Sequence, residues 1–170
     1  SSSEDSALLN RATQGLYPPG STLKIITALS YLKNGGKLTD TFDCNGSYTQ
    51  DGYTIHCYGG EVHGRQTFRQ AFGNSCNVAF SQVGLSLPKG ALKNTANEFY
   101  FNKRIPADFS NVNKSQFTLK SSDNDAMVMQ TSIGQGNTLV TPLHMALICE
   151  AVCNDGIMKT PFLVDHIEND

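Results

Sequence analysis

The sequence is short of charge. Only 16% of its 170 residues are Asp, Glu, Lys or Arg, and the formal net charge is -2. A chain so near neutrality has no basic excess to draw nucleic acid or an anionic membrane, so neither is expected as a partner. Long apolar runs are missing too. None approaches the roughly 18 residues that a membrane span needs. Ser1-Ser2-Ser3-Glu4-Asp5 is polar and acidic, which is the wrong chemistry for the basic start of a signal peptide. Five cysteines, an odd number, exclude a fully paired set of disulfides within one chain. No internal repeat, low-complexity tract or linker appears. What remains is 39% apolar content in a length suited to one globular domain with one core.

Tyr17-Pro18-Pro19-Gly20 stops any preceding element and makes a rigid turn. A helix is expected from Thr22 to Asn34, because Leu23, Ile26, Leu29 and Leu32 recur at helical spacing. Gly35-Gly36 ends it. So few polar residues on that helix predict a buried one. Asp51-Gly52 between Tyr48-Thr49 and Tyr53-Thr54-Ile55 predicts a hairpin within 42–57. Short helices are expected at 67–72 and 77–85, and another from Pro88 to about Tyr100. A further helix, capped by Ser122 or Asp123, runs to Thr131. Thr141-Pro142 then opens a helix ending before Asp155-Gly156. Phe162-Leu163-Val164 reads as a strand.

The strongest chemical signal is Ser21-Thr22-Leu23-Lys24. A serine hydroxyl is a weak nucleophile that needs a base, and residues three apart share a helix face. The positive end of the helix dipole disfavours the Lys24 ammonium, and burial lowers the lysine pKa further. A neutral Lys24 then takes the Ser21 proton. An arbitrary S-x-x-K is usually a cap followed by a surface lysine. Here the Pro-Pro-Gly turn and the apolar helix put Lys24 inside. Ser75-Cys76-Asn77 reads as a tight turn with Ser75 and Asn77 facing the same way. By itself it would pass for a capping turn.

Taken together, Asn10-Arg11-Ala12, Tyr17-Pro18-Pro19-Gly20-Ser21-Thr22-Leu23-Lys24, Ser75-Cys76-Asn77, Ser132-Ile133-Gly134-Gln135-Gly136 and Thr141-Pro142-Leu143 resemble the transpeptidase domain of class B penicillin-binding proteins. Asn154-Asp155-Gly156 and Pro161 fit as the exit from the last helix. The likeness runs from about Asn10 to Val164. It implies a mainly α fold with a small β-hairpin, the helical subdomain of the β-lactamase/transpeptidase-like α+β fold, truncated at both ends, so that residues 1–170 are a partial domain.

It also implies a serine D,D-transpeptidase of peptidoglycan cross-linking. Ser21 would be the nucleophile, Lys24 the base, Ser75 a proton relay and Asn77 a substrate-binding residue. The Ser21 N–H would form half of an oxyanion hole. Partners would be peptidoglycan stem peptides, β-lactam antibiotics and the cell-wall synthesis machinery. The place would be the outer side of the bacterial membrane, reached through an anchor outside this chain. No cofactor is implied. The alternative is a β-lactam sensor that binds without turnover. A β-lactamase lacks support, because no glutamate is placed by motif to activate water. The family's third motif, K-T/S-G, is expected on a strand beyond this region. Lys159-Thr160-Pro161 is rejected for it, since proline has neither the N–H nor the small side chain that the glycine position needs. The chain alone is therefore expected to acylate slowly or not at all.

Other groups read more plainly. A Zn²⁺ site from Cys44, His56, Cys57 and His63 is weighed and not assigned, because adjacent His56 and Cys57 would face opposite sides of a strand. Given a family that works outside the cytoplasm, a Cys44–Cys57 disulfide is preferred to zinc. Cys149 and Cys153 are expected as small buried apolar residues. Two of Phe99, Tyr100 and Phe101 are expected in the core.

Overall fold

Helix α3 (Asn77–Ser86) buries Val78, Ala79, Phe80, Ser81, Val83 and Gly84, and the rest of the molecule is laid around it. The computed structural model describes residues 9–164. Among them are five further helices: α1 (Lys24–Lys33), α2 (Phe68–Gly73), α4 (Ala91–Glu98), α5 (Asp125–Ser132) and α6 (Pro142–Cys153). Two antiparallel pairs complete the fold. β1 (Thr41–Cys44) pairs with β4 (Gly64–Thr67), and β2 (Ser47–Gln50) pairs with β3 (Tyr53–His56). This is the mainly α arrangement with a hairpin that the sequence predicts.

The axes of α3 and α5 come close at Gly84, where a Cβ would lie 1.9 Å from Ser132 Oγ. One core cluster, including Leu23, Ile26, Phe101 and Ile148, lies under α1. A second joins Phe68, Phe80, Met129 and Ile133. Phe68 and Phe80 are almost wholly out of water, with ring centroids 5.6 Å apart. Each such side chain contributes about 1.5–3 kcal/mol by its burial. This packing fixes α1 and the start of α3 relative to each other. Phe101 is fully buried and Phe99 packs on the same core, as expected.

Local chemistry explains the boundaries. Asp51 and Gly52 both have positive φ, 49° and 78°, the turn that matches strand twist in a two-residue hairpin. Thr67 and Gln70 form a reciprocal capping box on α2. Thr141 Oγ1 accepts from the His144 N–H, with Pro142 at the first position of α6.

Several expectations need correction. Asn124, not Ser122 or Asp123, caps α5: its Oδ1 accepts the Met127 N–H at 3.0 Å. The Asp123 carboxylate is already taken by the Lys120 N–H at 2.8 Å. Helix α4 begins at Ala91 rather than Pro88, because Pro88 closes a turn onto Ala91 through Gly90, which is left-handed with φ 85°. Phe162-Leu163-Val164 forms no strand. Each is at least 60% exposed, and strand geometry without an edge to pair with has nothing to hold it. Cys149 and Cys153 are exposed, not buried. They line an apolar groove of about 460 Å³ with Leu29, Leu32, Phe72 and Val152. Helical spacing shows that two cysteines share a face, but not whether anything covers it. The β1–β4 pairing has no local signal in the sequence, because it joins segments with no shared turn.

Candidate active site

Pro19 leads into a 3₁₀ turn, Gly20–Leu23, which runs directly into α1. Leu23 is fully buried and anchors the turn, while Ser21 stays exposed. One turn on, Lys24 is only 2% exposed. The sequence therefore places a hydroxyl at the surface and an amine beneath it. Lys24 Nζ is 3.3 Å from Ser21 Oγ.

Ser75 and Asn77 reach the same amine from the turn before α3. Lys24 Nζ lies 2.6 Å from the Ser75 carbonyl oxygen, 2.9 Å from Ser75 Oγ and 2.7 Å from Asn77 Oδ1. Ser75 has φ 52°, a left-handed conformation that costs a non-glycine residue about 1–2 kcal/mol. That turn aims its carbonyl at the lysine. The second Asn77 function, Nδ2, donates to the His56 carbonyl at 2.9 Å, which ties the hairpin to the site.

The four contacts have different chemistry. The Ser75 carbonyl and Asn77 Oδ1 only accept, so they take two N–H groups of Lys24 whatever its charge. The remaining position on nitrogen faces two hydroxyls, Ser21 and Ser75. As an ammonium, Lys24 donates there. As a neutral amine, it accepts a proton there. Burial pulls the Lys24 pKa from its ordinary 10.5 down to about 8, against a smaller opposing effect of the neighbouring Cys76 and Cys57 side chains. The Phe80 ring, 5.5 Å from Nζ, lies where it favours the cation.

The nucleophile turn is held from below. Gly20 N–H donates to the Gly134 carbonyl at 3.0 Å, and Thr27 Oγ1 donates to the Ser132 carbonyl at 2.9 Å. Tyr17 and Val140 exchange both backbone bonds as an isolated antiparallel bridge. Gly134 has φ 81°, and a Cβ there would lie 1.6 Å from the Gly20 carbonyl oxygen. Gly134→Ala is therefore expected to lower stability by about 2–4 kcal/mol through backbone strain and overpacking. It should also slow any chemistry at Ser21 by about 10²-fold, the scale for ångström-size misplacement. Thermal melting and reaction of the folded fraction with penicillin measure the two effects. The sequence marks Ser132 to Gly136 by resemblance alone; its supporting role emerges only in the fold.

Gly20, Ser21, Ser75, Asn77, Ile133 and Gln135 line a cleft of about 560 Å³. Lys159-Thr160-Pro161 lies in coil beyond α6, consistent with its rejection as the third motif. Cys44 and Cys57 carry free thiols 3.6 Å apart, not a disulfide. His56 is exposed while Cys57 is buried, on opposite faces as strand geometry requires. His63 does approach Cys44, with Nδ1 3.4 Å from Sγ.

Comparison with known proteins gives the same answer as the geometry. A family model described as the penicillin binding protein transpeptidase domain matches residues 1–170. The peptidoglycan D,D-transpeptidase PbpA of Mycobacterium tuberculosis is 33% identical over 168 residues, which cover 96% of this chain and 34% of that protein. The penicillin G acyl-enzyme complex of penicillin-binding protein A from M. tuberculosis superposes with a TM-score of 0.85 at 32% identity, over 95% of this chain and 38% of that one. PBP2 of Helicobacter pylori, solved in complex with MreC, gives 0.85 at 25% identity, over 96% and 32%. The chain thus spans about a third of the length of the curated relative it matches. With its serine, lysine and S-x-N turn assembled around one cleft, the chain belongs to the penicillin-binding protein transpeptidase family.

Proposed function

We propose that the full-length protein is a serine D,D-transpeptidase of peptidoglycan cross-linking, with Ser21 as nucleophile, Lys24 as base, Ser75 as proton relay and Asn77 as a substrate-binding residue. The observation that carries this is the placement of one buried amine within reach of two serine hydroxyls. Neutral Lys24 takes the proton of Ser21 as Oγ attacks the carbonyl of a D-alanyl-D-alanine stem peptide. The tetrahedral oxygen faces the N–H of Ser21 at the helix start. The Lys24 proton then passes by way of Ser75 Oγ to the leaving nitrogen as the C–N bond breaks, so that D-alanine departs with a neutral amine and an ester on Ser21 remains. An amine of a second stem peptide reverses these steps, giving its proton to Lys24 and leaving the cross-linked amide. A β-lactam enters the same first half: its ring amide opens onto Ser21, and no amine departs to make room for the acceptor.

Asn77 Oδ1 holds Lys24, and the N–H of Nδ2 that is not given to the His56 carbonyl is the one to meet a substrate carbonyl in the cleft that Asn77 lines. The PBP2–MreC pair supports cell-wall machinery as a partner, and relatives named as peptidoglycan D,D-transpeptidases support a place on the outer face of the membrane, where that polymer is cross-linked. No helix among the described residues is long and apolar enough to cross one. The test is to react the full-length protein with penicillin and map the adduct by peptide mass spectrometry. The expected result is one penicilloyl group on the peptide containing Ser21. An adduct on another residue, or none, refutes the assignment.

A further inference from the structure

The three buried cysteines and His63 have no part in acyl transfer, yet they converge. We propose that Cys44, Cys57, Cys76 and His63 form a tetrahedral Zn²⁺ site that pins the Ser75–Asn77 turn to the two β-pairs. The ligand atoms all lie within 4.8 Å of one another. A tetrahedral zinc with Zn–S of about 2.3 Å and Zn–N of about 2.0–2.1 Å has S···S edges of about 3.8 Å and S···N edges of about 3.5 Å. The corresponding distances are 3.6 Å for Cys44–Cys57, 3.8 Å for Cys57–Cys76 and 3.4 Å from Cys44 Sγ to His63 Nδ1. A disulfide needs S–S of about 2.05 Å. It would use two of these thiols and leave the third, with the histidine, facing it.

The imidazole is oriented as a ligand. Its side chain is only 7% exposed, and Nε2 is buried without a hydrogen-bond partner. The nearest carboxylate is Glu61, with Oε2 3.5 Å from Nε2. A metal-bound histidine characteristically turns its other N–H to a carboxylate, which fixes the tautomer. Three thiolates and an imidazole are a donor set that selects zinc over harder cations. On binding, the thiols release their protons to solvent, and three thiolates with one Zn²⁺ leave a single net negative charge.

The ligands come from four separate places: the end of β1, the residue after β3, the loop before β4 and the cap of α3. Cys76 is the middle residue of the Ser75-Cys76-Asn77 turn, so the ion would brace the turn that presents Ser75 and Asn77 to Lys24. The sequence hides this set. His56 is the nearer histidine to Cys57 in the chain, but it points away, and Cys76 is reached only through the fold.

The full-length protein, carrying a histidine-free tag and purified under reducing conditions without chelator, is expected to hold about one zinc per chain by elemental analysis. Replacement by Co²⁺ should give the thiolate-to-cobalt charge-transfer band and the visible bands of a tetrahedral site. His63→Cys should keep the metal, and Glu61→Gln should weaken it about 10-fold. Stripping the ion should speed hydrogen exchange at 75–77 by at least about 10-fold, and added Zn²⁺ should restore protection. Cys44→Ser should lose the metal; if it fails to fold, the wild-type and His63→Cys measurements still decide. Two results overturn the proposal: reduced wild-type protein that takes up neither Zn²⁺ nor Co²⁺, or protein two hydrogens lighter with a disulfide mapped among Cys44, Cys57 and Cys76. Metal uptake without any change in exchange at 75–77 overturns the bracing role.

Discussion

Ser21→Ala in the full-length protein is expected to abolish acylation by penicillin, a loss of about 10⁶-fold, the scale seen when a serine nucleophile is removed from a hydrolase. Its melting temperature should stay close to wild type. Ser21 is exposed, and its Oγ makes only the longest of the four Lys24 contacts, 3.3 Å against 2.6–2.9 Å. Truncation therefore leaves the amine still bound to Ser75 and Asn77. A label that persists in this variant means the nucleophile lies elsewhere.

Lys24→Met should be nearly as damaging, with acylation slowed by about 10⁴-fold. Methionine keeps the buried apolar stem and deletes the amine, so the effect reads the proton acceptor rather than a cavity. The variant also tests the linkage between charge and stability. Lys24 binds its proton with a pKa of about 8 when folded and 10.5 ordinarily. Between these values the unfolded chain holds the proton and the folded chain does not. Wild-type stability should therefore rise relative to the variant as pH climbs from about 8 to 10.5, and the difference should be flat below about 8. Melting of both proteins across that range, compared pairwise, cancels the titration of all other groups.

Local periodicity made α1 legible, since Leu23 and Ile26 are core residues at the predicted spacing and Lys24 is inside with them. The Asp51-Gly52 turn was legible because only a few residue pairs accept two consecutive positive φ angles. Pairings between distant segments were not. Nothing in 41–44 or 64–67 announces the other, so β1 and β4 stayed hidden. Ser75 and Lys24 lie 51 residues apart. Their meeting was expected through resemblance to a family, not through spacing. The same blindness concealed Cys76 as the companion of Cys44 and Cys57. The exposed Phe162–Val164 segment and the groove-lining Cys149 and Cys153 show the opposite failure. Apolar composition states a preference for burial, and only the surrounding chain decides whether it is met.

The geometry also joins stability to activity. An amine held without water beside an exposed hydroxyl carries a desolvation cost, and a serine in a left-handed turn carries strain. Both are maintained by the packing of Phe80, Leu23 and Met129 and by the Gly20–Gly134 bond, none of which takes or gives a proton in the cleft.

The rate of acylation of the full-length protein by penicillin, measured from pH 6 to 10 under subsaturating conditions, tests the central claim most directly. A neutral Lys24 as the base predicts a tenfold rise per pH unit at the acid end, bending to a plateau near pH 8. A rate unchanged across that range, or the same curve in Lys24→Met, would contradict it.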